Sequence, residues 1–395
     1  MITVTQALSL VLENRIFPDT ETVDLAEAGG RVLAAPVLAD RDFPPYHRVT
    51  MDGIALRAAA LEKTRSFPIE NIQAAGMPAS RLSNPLHCIE VMTGAVLPGN
   101  TDTVIPYEQC DRTAGVAVLK AGAAVSPFQY IHQQGTDAGR GDVLLEKDRK
   151  ITSAMVGVMA SAGMTRVSVY RLPAVAVCST GDELIPPGAQ PAPHQIRASN
   201  SRMLAAALQT EGIRAELFHL SDNKTEMKAS LASLLENFQV ILFSGAVSKG
   251  RYDHLPALLQ EAGVKKIFHG VAQKPGKPFF FGTLGDRCHL FGFPGNPVST
   301  YTCYQLFFKP WLYRSLHCSS EKQVARLAEE FIFKPDLTCH LLVNLSHEQG
   351  MLTARPCRNS GSGDLTALAR GDALMSLPAE RSSFHAGEFF EVTML

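Results

Sequence analysis

Three glycine- and proline-rich turns between Val240 and Thr300 have the composition of an anion-binding site. They are residues 244–253, 274–278 and 293–299, each after a short apolar run, and helix-initiating sequence follows the first and third. Helix N-termini carry unpaired N–H donors and a partial positive charge, and glycine lets the backbone approach a ligand closely. Lys274 and Lys277 add fixed positive charge. These turns predict a small-molecule substrate that is phosphorylated or oxyanionic.

Four acidic residues follow strand-like runs in the same half of the chain: Asp182, Glu183, Asp222 and Asp253. In an open α/β sheet, ligands bind beyond the carboxyl ends of the strands, so these carboxylates are expected to share one rim with the turns. Carboxylates facing a phosphate site commonly hold Mg²⁺. Plainer interpretations remain open, since Asp222 could cap a helix and Asp182 or Glu183 could be exposed loop acids.

The lysines and prolines have plainer interpretations as well. Lys274 and Lys277 would look the same in a stiff, solvated hairpin, and Pro294 and Pro297 could serve only as turn formers. We nevertheless expect the three loops to line one crevice, because they follow successive strands. The expected ligand-binding residues are Ser179, Thr180, Gly181, Asp182, Ser244, Gly245, Ser248, Gly250, Pro294, Gly295, Asn296 and Pro297.

A second group of candidate residues lies nearer the N-terminus. Asp52 and Thr93 each stand beside a glycine in a predicted tight turn, and Asp137 follows Gly135 closely. Such turns allow a ligand to approach the backbone. Asp52 and Asp137 could equally be turn-forming acids that bind their own backbone.

The overall composition excludes several classes of protein. The 395 residues include 37 basic and 38 acidic ones, giving a net charge of −1 without a basic block, so a nucleic-acid partner is not expected. No apolar run approaches the roughly 18–20 residues of a membrane span, and the N-terminus lacks a signal-peptide pattern. We therefore expect a cytoplasmic protein whose eight scattered cysteines are reduced and structural.

The pattern of predicted helices and strands divides the chain into four predicted domains. Residues 1–42 with 138–170 form an N-terminal, linking domain that begins with a helix, and residues 43–137 form an inserted β-rich domain. Residues 171–315 alternate strands and helices, which predicts a doubly wound, mainly parallel α/β domain. Short strand-like runs in residues 316–395 predict a small C-terminal β domain.

Five motifs in this order resemble the molybdopterin molybdenumtransferase family, which includes the bacterial MoeA-type enzymes and the E domain of gephyrin. The resemblance runs nearly from end to end. The motifs are Met51-Asp-Gly53, Met92-Thr-Gly-Ala95, Ser179-Thr-Gly-Asp-Glu-Leu184, Lys274-Pro-Gly-Lys-Pro278 and Pro294-Gly-Asn-Pro-Val-Ser299.

The resemblance implies a four-domain protomer in a homodimer, in which the α/β domain of one subunit faces the β-rich domain of the other. The implied reaction is Mg²⁺-dependent insertion of molybdate into adenylylated molybdopterin, with release of AMP. Implied protein partners are the molybdopterin adenylyltransferase and the molybdoenzymes that accept the product. By position, the catalytic residues would be Asp52, Thr93, Asp137, Glu183, Asp222, Asp253, Lys274 and Lys277, with Glu183, Asp222 and Asp253 as metal ligands.

The chain also departs from the family pattern at several positions. His132-Gln-Gln-Gly-Thr-Asp137 replaces the family's Arg-x-x-Gly-Glu-Asp, with the loss of an arginine and an acid, and Ala198 and Arg251 stand where the family commonly has acids. Arg48-Val-Thr50 replaces the usual Asn-Ser-Ala. These differences leave an alternative function open: a catalytically weakened paralogue that binds molybdopterin or a partner protein.

Overall fold

The computed structural model describes residues 1–123, 125–245, 254–319 and 322–395. Contacts divide the chain into two compact units. The first comprises Met1–Ala34, Asp148–Ile151 and Ser168–Leu395, and the second comprises Ala35–Lys147 and Thr152–Val167. The finer division into four domains stays a prediction.

The first unit contains a six-stranded sheet built largely from parallel strands. Its order is Glu216–Leu220, Val175–Thr180, Val240–Ser244, Cys288–Phe293, Phe280–Leu284 and Lys265–His269. The first four strands are parallel, so their carboxyl ends lie at one edge. Val240–Ser244 is buried at every residue, which explains its unbroken apolar sequence.

Apolar residues on the two faces of this sheet enter two different cores. Val175 and Val177 belong to one core with Trp311, whereas Ala176 and Cys178 belong to the other with Leu231. This alternation follows from the two-residue period of a strand. Helices cover both faces, as the doubly wound prediction required; they are Asn200–Thr210, Lys224–Asn237, Leu255–Glu261, Pro297–Cys303 and Lys309–Ser315.

Two features of this sheet differ from the sequence-based expectation. Phe280–Leu284 and Lys265–His269 were not predicted. Phe280–Leu284 pairs antiparallel with Cys288–Phe293 because only a short turn separates Leu284 from Cys288, and Lys265–His269 pairs antiparallel with Phe280–Leu284. The sequence pattern predicts one helix from Val298 to Leu312, but a π-helical turn at Tyr304–Phe308 interrupts it. Pro310 lacks an N–H group, which favours such a change of hydrogen bonding in the preceding turn.

The C-terminal region forms a second six-stranded sheet. Its order is Gln273–Lys274, Thr338–Glu348, Met351–Pro356, Gln323–Leu327, Phe389–Met394 and Ala373–Leu377. Thr338–Glu348 also pairs with Ala373–Leu377, so five of the strands close into a barrel. Gln273–Lys274 joins this barrel by parallel pairing with Thr338 and Cys339. One of the predicted anion-binding turns therefore begins on a barrel strand.

The second unit contains its own six-stranded sheet, in agreement with the predicted β-rich insertion. The order is Thr103–Pro106, Gly53–Leu56, Cys88–Val91, Ser66–Gln73, Val116–Leu119 and Cys110–Thr113. The strand Gly53–Leu56 is buried throughout and lies between two antiparallel neighbours. The helix Ser153–Ser161 also belongs to this unit.

The N-terminal helix, Val4–Glu13, begins with a capping box between Thr3 and Gln6. The apolar pattern of the sequence extends to Ile16, but the helix ends at Glu13. The remaining short elements are the strands Thr20–Asp24, Val37–Leu38, Arg48–Val49, Ile131–His132, Val143–Leu145, Arg166–Tyr170, Leu184–Ile185, Ile196–Arg197, Phe331–Ile332 and Ser383–Phe384, and the helical turns Leu25–Glu27, Ala58–Glu62, Tyr107–Gln109 and Leu365–Leu368.

These sheets confirm the predicted fold class of mixed α/β and β architecture. None of the helices in the described ranges has the length and apolar character needed to cross a membrane. All eight cysteines are free thiols, and six of them are buried, which agrees with a structural role. Burial raises the pKa of the Cys88 thiol to about 12.

Candidate functional site

A cleft of about 1200 Å³ lies within the first unit, between the α/β sheet and the C-terminal barrel. One wall contains residues 274–278, and another contains Gly245 and the turn Pro294-Gly-Asn296. The third wall comes from barrel residues that include Phe333, His340 and Arg358. The cleft thus brings together two of the turns predicted to bind an anion, together with the first glycine of the remaining one.

The cleft is rich in positive charge. Lys274, Lys277, Arg355 and Arg358 line it, while Glu329 is the acidic residue among the lining side chains that the structure describes. Arg355 pairs with Glu329 at 3.5 Å. Within the described ranges, Lys274, Lys277 and Arg358 have no carboxylate in an ion pair. Three cations without acidic partners therefore face the space where a ligand would bind.

Residues of the C-terminal region hold the turn at Pro294–Asn296. Asn296 donates from Nδ2 to Ser362 Oγ at 2.7 Å, and the Ser362 carbonyl accepts from the Val298 N–H at 3.1 Å. Asp364 supports this loop by accepting from Thr366 Oγ1, the Ala367 N–H and the Ser360 N–H. These bonds, led by the Thr366 hydroxyl, hold the pKa of Asp364 well below its usual range.

A smaller cavity of about 120 Å³ shares Gly245 and Gly295 with the cleft. Of the predicted ligand-binding residues, it is lined by Ser179, Thr180, Glu183, Ser244 and Pro297. Asn200 also lines it, donating to Ser244 Oγ at 2.9 Å and to the Gly295 carbonyl at 2.7 Å. Its buried Oδ1 accepts no hydrogen bond from any described residue, so it is available to a ligand donor.

Asp182 and Asp222 lie together at the carboxyl ends of two neighbouring strands. Asp182 Oδ1 accepts from the Asp222 N–H at 3.1 Å, and Asp222 Oδ2 accepts from the Asp182 N–H at 3.4 Å. The cap of the following helix is Asn223, which accepts from the N–H groups of Thr225 and Glu226. The helix-cap interpretation of Asp222 was therefore wrong.

Glu183 folds back over Gly181 at the mouth of the smaller cavity. Gly181 has φ +119, and a Cβ built there would lie 2.7 Å from Glu183 Oε1. The positive φ favours glycine at this position, and any other residue would also require the Glu183 carboxylate to move. The remaining predicted residues of the first turn, Ser248, Gly250 and Asp253, lie outside the described residues, so their predicted roles stay predictions.

In the second unit, Asp52 and Thr93 are brought together across two turns. Asp52 Oδ1 accepts from the Thr93 N–H at 2.6 Å and from Thr93 Oγ1 at 2.7 Å, and these bonds lower the pKa of Asp52. Asp137 lies 2.9 Å from His132 Nε2. Asp52 therefore binds a neighbouring turn rather than its own backbone.

Sequence reasoning missed Asn200, Arg358 and Ser362 as residues of the site. Asn200 opens a helix that follows a strand and loop, which is a weak signal for ligand binding. Arg358 and Ser362 lie in a C-terminal loop with no local pattern that relates them to a strand end far away in sequence. The fold and the cationic cleft together define an α/β protein with a site suited to a small anionic molecule.

Comparison with known proteins identifies the family. The family models match consecutive parts of the chain: MoeA N-terminal region (domain I and II) over residues 2–163, probable molybdopterin binding domain over 176–314, and MoeA C-terminal region (domain IV) over 324–395. The molybdopterin molybdenumtransferase of Synechocystis is 38% identical over 395 residues, covering 99% of each chain. That of Haemophilus influenzae is 30% identical, covering 98% of this chain and 97% of its own.

The chain belongs to the molybdopterin molybdenumtransferase family. The crystal structure of a molybdopterin biosynthesis MoeA protein from Pyrococcus horikoshii matches it with a TM-score of 0.83, 27% identity and full coverage of both chains. The protein is thus a transferase of molybdenum cofactor biosynthesis, which confirms the family and the enzyme class predicted from the motifs.

Proposed function

We propose that this protein inserts molybdate into adenylylated molybdopterin and releases AMP in a Mg²⁺-dependent reaction. The observation that carries the proposal is the cleft in which Lys274, Lys277 and Arg358 lack acidic partners among the described residues. Molybdate is a tetrahedral dianion, and adenylylated molybdopterin contains a phosphoanhydride. Both need positive charge and hydrogen-bond donors in a partly enclosed site.

The residues of the cleft and the smaller cavity have complementary roles in this proposal. Lys274, Lys277 and Arg358 would bind oxyanions by charge, and the two lysines act as compact point charges. The backbone at Gly245 and Gly295 would approach the ligand where the two cavities meet. Asn200 Oδ1 would accept a hydrogen bond from the ligand, because it is buried without a partner in the described part of the chain.

Mg²⁺ fits the chemistry of the acidic residues at the strand ends. Asp182 and Asp222 each use one oxygen to bind the other's N–H group, and their second oxygens accept nothing from the described residues. Among the described residues, no three His, Cys, Asp or Glu side chains cluster as a complete metal site. Asp253, a further proposed ligand, lies outside the described residues, and Mg²⁺ commonly completes its coordination with substrate phosphates and water.

We propose Asp222, Glu183 and Asp253 as the residues that would hold Mg²⁺, with Asp182 orienting Asp222. When bound, the ion would neutralise charge on the phosphoanhydride oxygens. Asp52, Thr93 and Asp137 would act on the same substrate from the second unit of a partner subunit in a homodimer. The proposed protein partners are the adenylyltransferase that supplies the substrate and the molybdoenzymes that accept the product, in the cytoplasm.

The test is a turnover assay with adenylylated molybdopterin, molybdate and Mg²⁺. We expect AMP release that requires both molybdate and Mg²⁺ and that stops when EDTA is added. Substrate binding without AMP release would contradict the proposal. If Asp253→Ala also left that binding unchanged, the result would support the alternative of a catalytically weakened paralogue.

A further inference from the structure

A chain of three hydrogen bonds lies behind the backbone that carries Lys274 and Lys277. Ser376 Oγ lies 3.0 Å from His340 Nδ1, and His340 Nε2 lies 3.2 Å from Gln273 Oε1. Gln273 Nε2 then donates to the carbonyl of Gly276 at 3.0 Å. Gln273 is 0% exposed and His340 is 3% exposed, so both side chains are shielded from water.

The Gly276 carbonyl, the final acceptor in this hydrogen-bond chain, determines which group donates in each of the three hydrogen bonds. The Gly276 carbonyl can only accept, so the Gln273 amide nitrogen must face it and the amide oxygen must face His340. His340 must therefore carry its proton on Nε2 and donate to Gln273 Oε1. Its Nδ1 is then an acceptor, and the Ser376 hydroxyl donates to it. A neutral histidine with a single tautomer satisfies all three bonds.

Burial keeps His340 in this neutral state near neutral pH. The apolar surroundings lower the pKa of His340 to about 4, because they disfavour the charged imidazolium. The hydrogen-bond chain consequently holds the same direction at every pH between about 5 and 9. A phenylalanine would fill the same space without burying polar atoms, so packing alone does not account for a histidine here.

The backbone at Gly276, where the hydrogen-bond chain ends, has little freedom to move. Gly276 has φ +95, and a Cβ built there would lie 2.6 Å from Cys303 Sγ and 2.8 Å from Gln273 Nε2. The Val271 N–H donates to the Lys277 carbonyl at 2.9 Å, which joins the two sides of the loop. The backbone between Lys274 and Lys277 is thus fixed from beneath by Gln273.

We propose that His340 is a positioning residue for the oxyanion site. It acts through Gln273, which fixes the Gly276 carbonyl and with it the placement of Lys274 and Lys277 in the cleft. His340 lies on the barrel strand Thr338–Glu348, so the barrel determines where the two lysines of the α/β half point. The identity of the oxyanion as molybdate rests on the proposed function, whereas the hydrogen-bond chain does not.

The first test is a double-mutant cycle read by molybdate affinity in isothermal titration calorimetry. We expect His340→Phe and Gln273→Met each to weaken binding about tenfold, equivalent to about 1.4 kcal/mol. The molybdate affinity of the double variant should equal that of either single variant within about twofold, because both substitutions break the same hydrogen-bond chain. His340→Gln keeps an amide donor near the Nε2 position and should restore affinity to within about threefold of the parent. Additive losses near a hundredfold, or no rescue by His340→Gln, would overturn the proposal.

The second test needs no ligand and therefore separates this proposal from the proposed function. Hydrogen–deuterium exchange should accelerate at residues 270–279 in His340→Phe and Gln273→Met, and remain at the parent rate in His340→Gln. His289→Phe is the matched control, because His289 is also 3% exposed and burial also lowers its pKa to about 4. Exchange that is unchanged in His340→Phe, or equally faster in His289→Phe, would contradict a positioning role.

The unmodified protein provides a last check should a variant fail to fold. Nitrogen-15 spectra of labelled histidine should show His340 protonated at Nε2 and neutral across pH 6–8. If His340 were protonated at Nδ1, the donor and acceptor roles in its two hydrogen bonds would be reversed, and this would overturn the proposal. If molybdate binds neither the parent nor any variant, the proposed function fails. The hydrogen–deuterium exchange rates and the histidine nitrogen-15 spectra still decide whether His340 has a positioning role.

Discussion

At the scale of single residues, the site is built from side chains that leave part of their bonding capacity unused. Asn200 retains a free oxygen, Asp182 and Asp222 each retain one, and Lys274 and Lys277 lack acidic partners among the described residues. The Asn200 oxygen is buried, and a buried polar atom without a partner is unfavourable, which is typical of a group whose partner is a ligand. The functional residues should therefore be separable from the structural ones by substitution.

Asp222→Asn removes the negative charge and keeps an oxygen that can accept from the Asp182 N–H. Turnover should fall at least about tenfold because metal binding weakens. The free energy of unfolding should change by no more than about 0.5 kcal/mol, since the side chain is not buried. AMP release and thermal unfolding measure the two effects. The control is Glu236→Gln on the exposed face of the helix Lys224–Asn237, which should change neither. A parallel loss of folding would show that Asp222 is structural.

At the scale of structural elements, two short segments connect the α/β sheet to the barrel. Gln273–Lys274 pairs with the barrel strand Thr338–Glu348, and the loop at Ser362 binds the turn at Asn296. Both segments line the cleft, so its shape depends on contacts made by the barrel. Substitutions that disturb either segment should affect the site even where they touch no ligand.

Gly276→Ala should be far more destabilising than Gly350→Ala. Both glycines have positive φ, +95 and +78, but only a Cβ at Gly276 meets other atoms, and Gly350 has open space. Gly350→Ala should lower the free energy of unfolding by about 1 kcal/mol from backbone strain alone. Gly276→Ala adds overlap with buried atoms and should lower it by about 3 kcal/mol. Chemical denaturation measures both, and equal effects would contradict the close packing beneath this loop.

Asp364 should contribute stability over the whole neutral range. Its pKa is depressed in the folded protein, so the contribution is present above the unfolded pKa of about 3.9 and is lost as pH falls through the lower folded value. The difference in Tm between the parent and Asp364→Ala should therefore be constant from pH 5 to 8 and shrink below about pH 4. Thermal unfolding across this range is the measurement. A difference in Tm that increases as the pH falls would contradict a lowered pKa of Asp364 in the folded protein.

At the scale of the whole molecule, the candidate residues form two groups in two separate units. Asp52, Thr93 and Asp137 belong to one unit, whereas Asp222 and the lysines belong to the other. The proposed homodimer joins the groups by placing the first unit of one subunit against the second unit of its partner. In such an arrangement, each active site takes residues from both chains.

Subunit complementation tests this arrangement directly. Mixing and reassociating the inactive variants Asp52→Asn and Asp222→Asn should restore about a quarter of the parent turnover. Half of the random dimers are mixed, and one of the two sites in each mixed dimer has both acids intact. Light scattering should show a mass about twice the 42.8 kDa of the chain. Failure to regain turnover in confirmed mixed dimers would mean that each site lies within one chain.

The sequence was sufficient to predict an element or turn where neighbouring residues alone determine the local structure. The sequence pattern predicts the helix Asn200–Thr210 and the strand Val116–Leu119 with the bounds that the structure has, because each has a clear apolar pattern between turn-forming residues. The turns at Lys274 and Pro294 were recognised by glycine and proline, whose backbone preferences are intrinsic. The strands Lys265–His269 and Phe280–Leu284 were missed although glycine or proline flanks both, because Lys265-Lys266 and Gly282 interrupt their apolar pattern.

The sequence by itself determined the fold class and the family, and it predicted which residues at the strand ends would bind a ligand. It also placed Asp182 and Asp222 at one rim, since parallel strands necessarily align their carboxyl ends. Only the tertiary structure showed that Arg358 and Ser362 reach the same cleft and that His340 lies beneath the lysine loop. His340 and Gln273 are 67 residues apart, and their bond depends on how a barrel packs beside a sheet. Periodicity and turn chemistry report on neighbours along the chain, whereas such a contact exists only once the distant elements have closed upon each other.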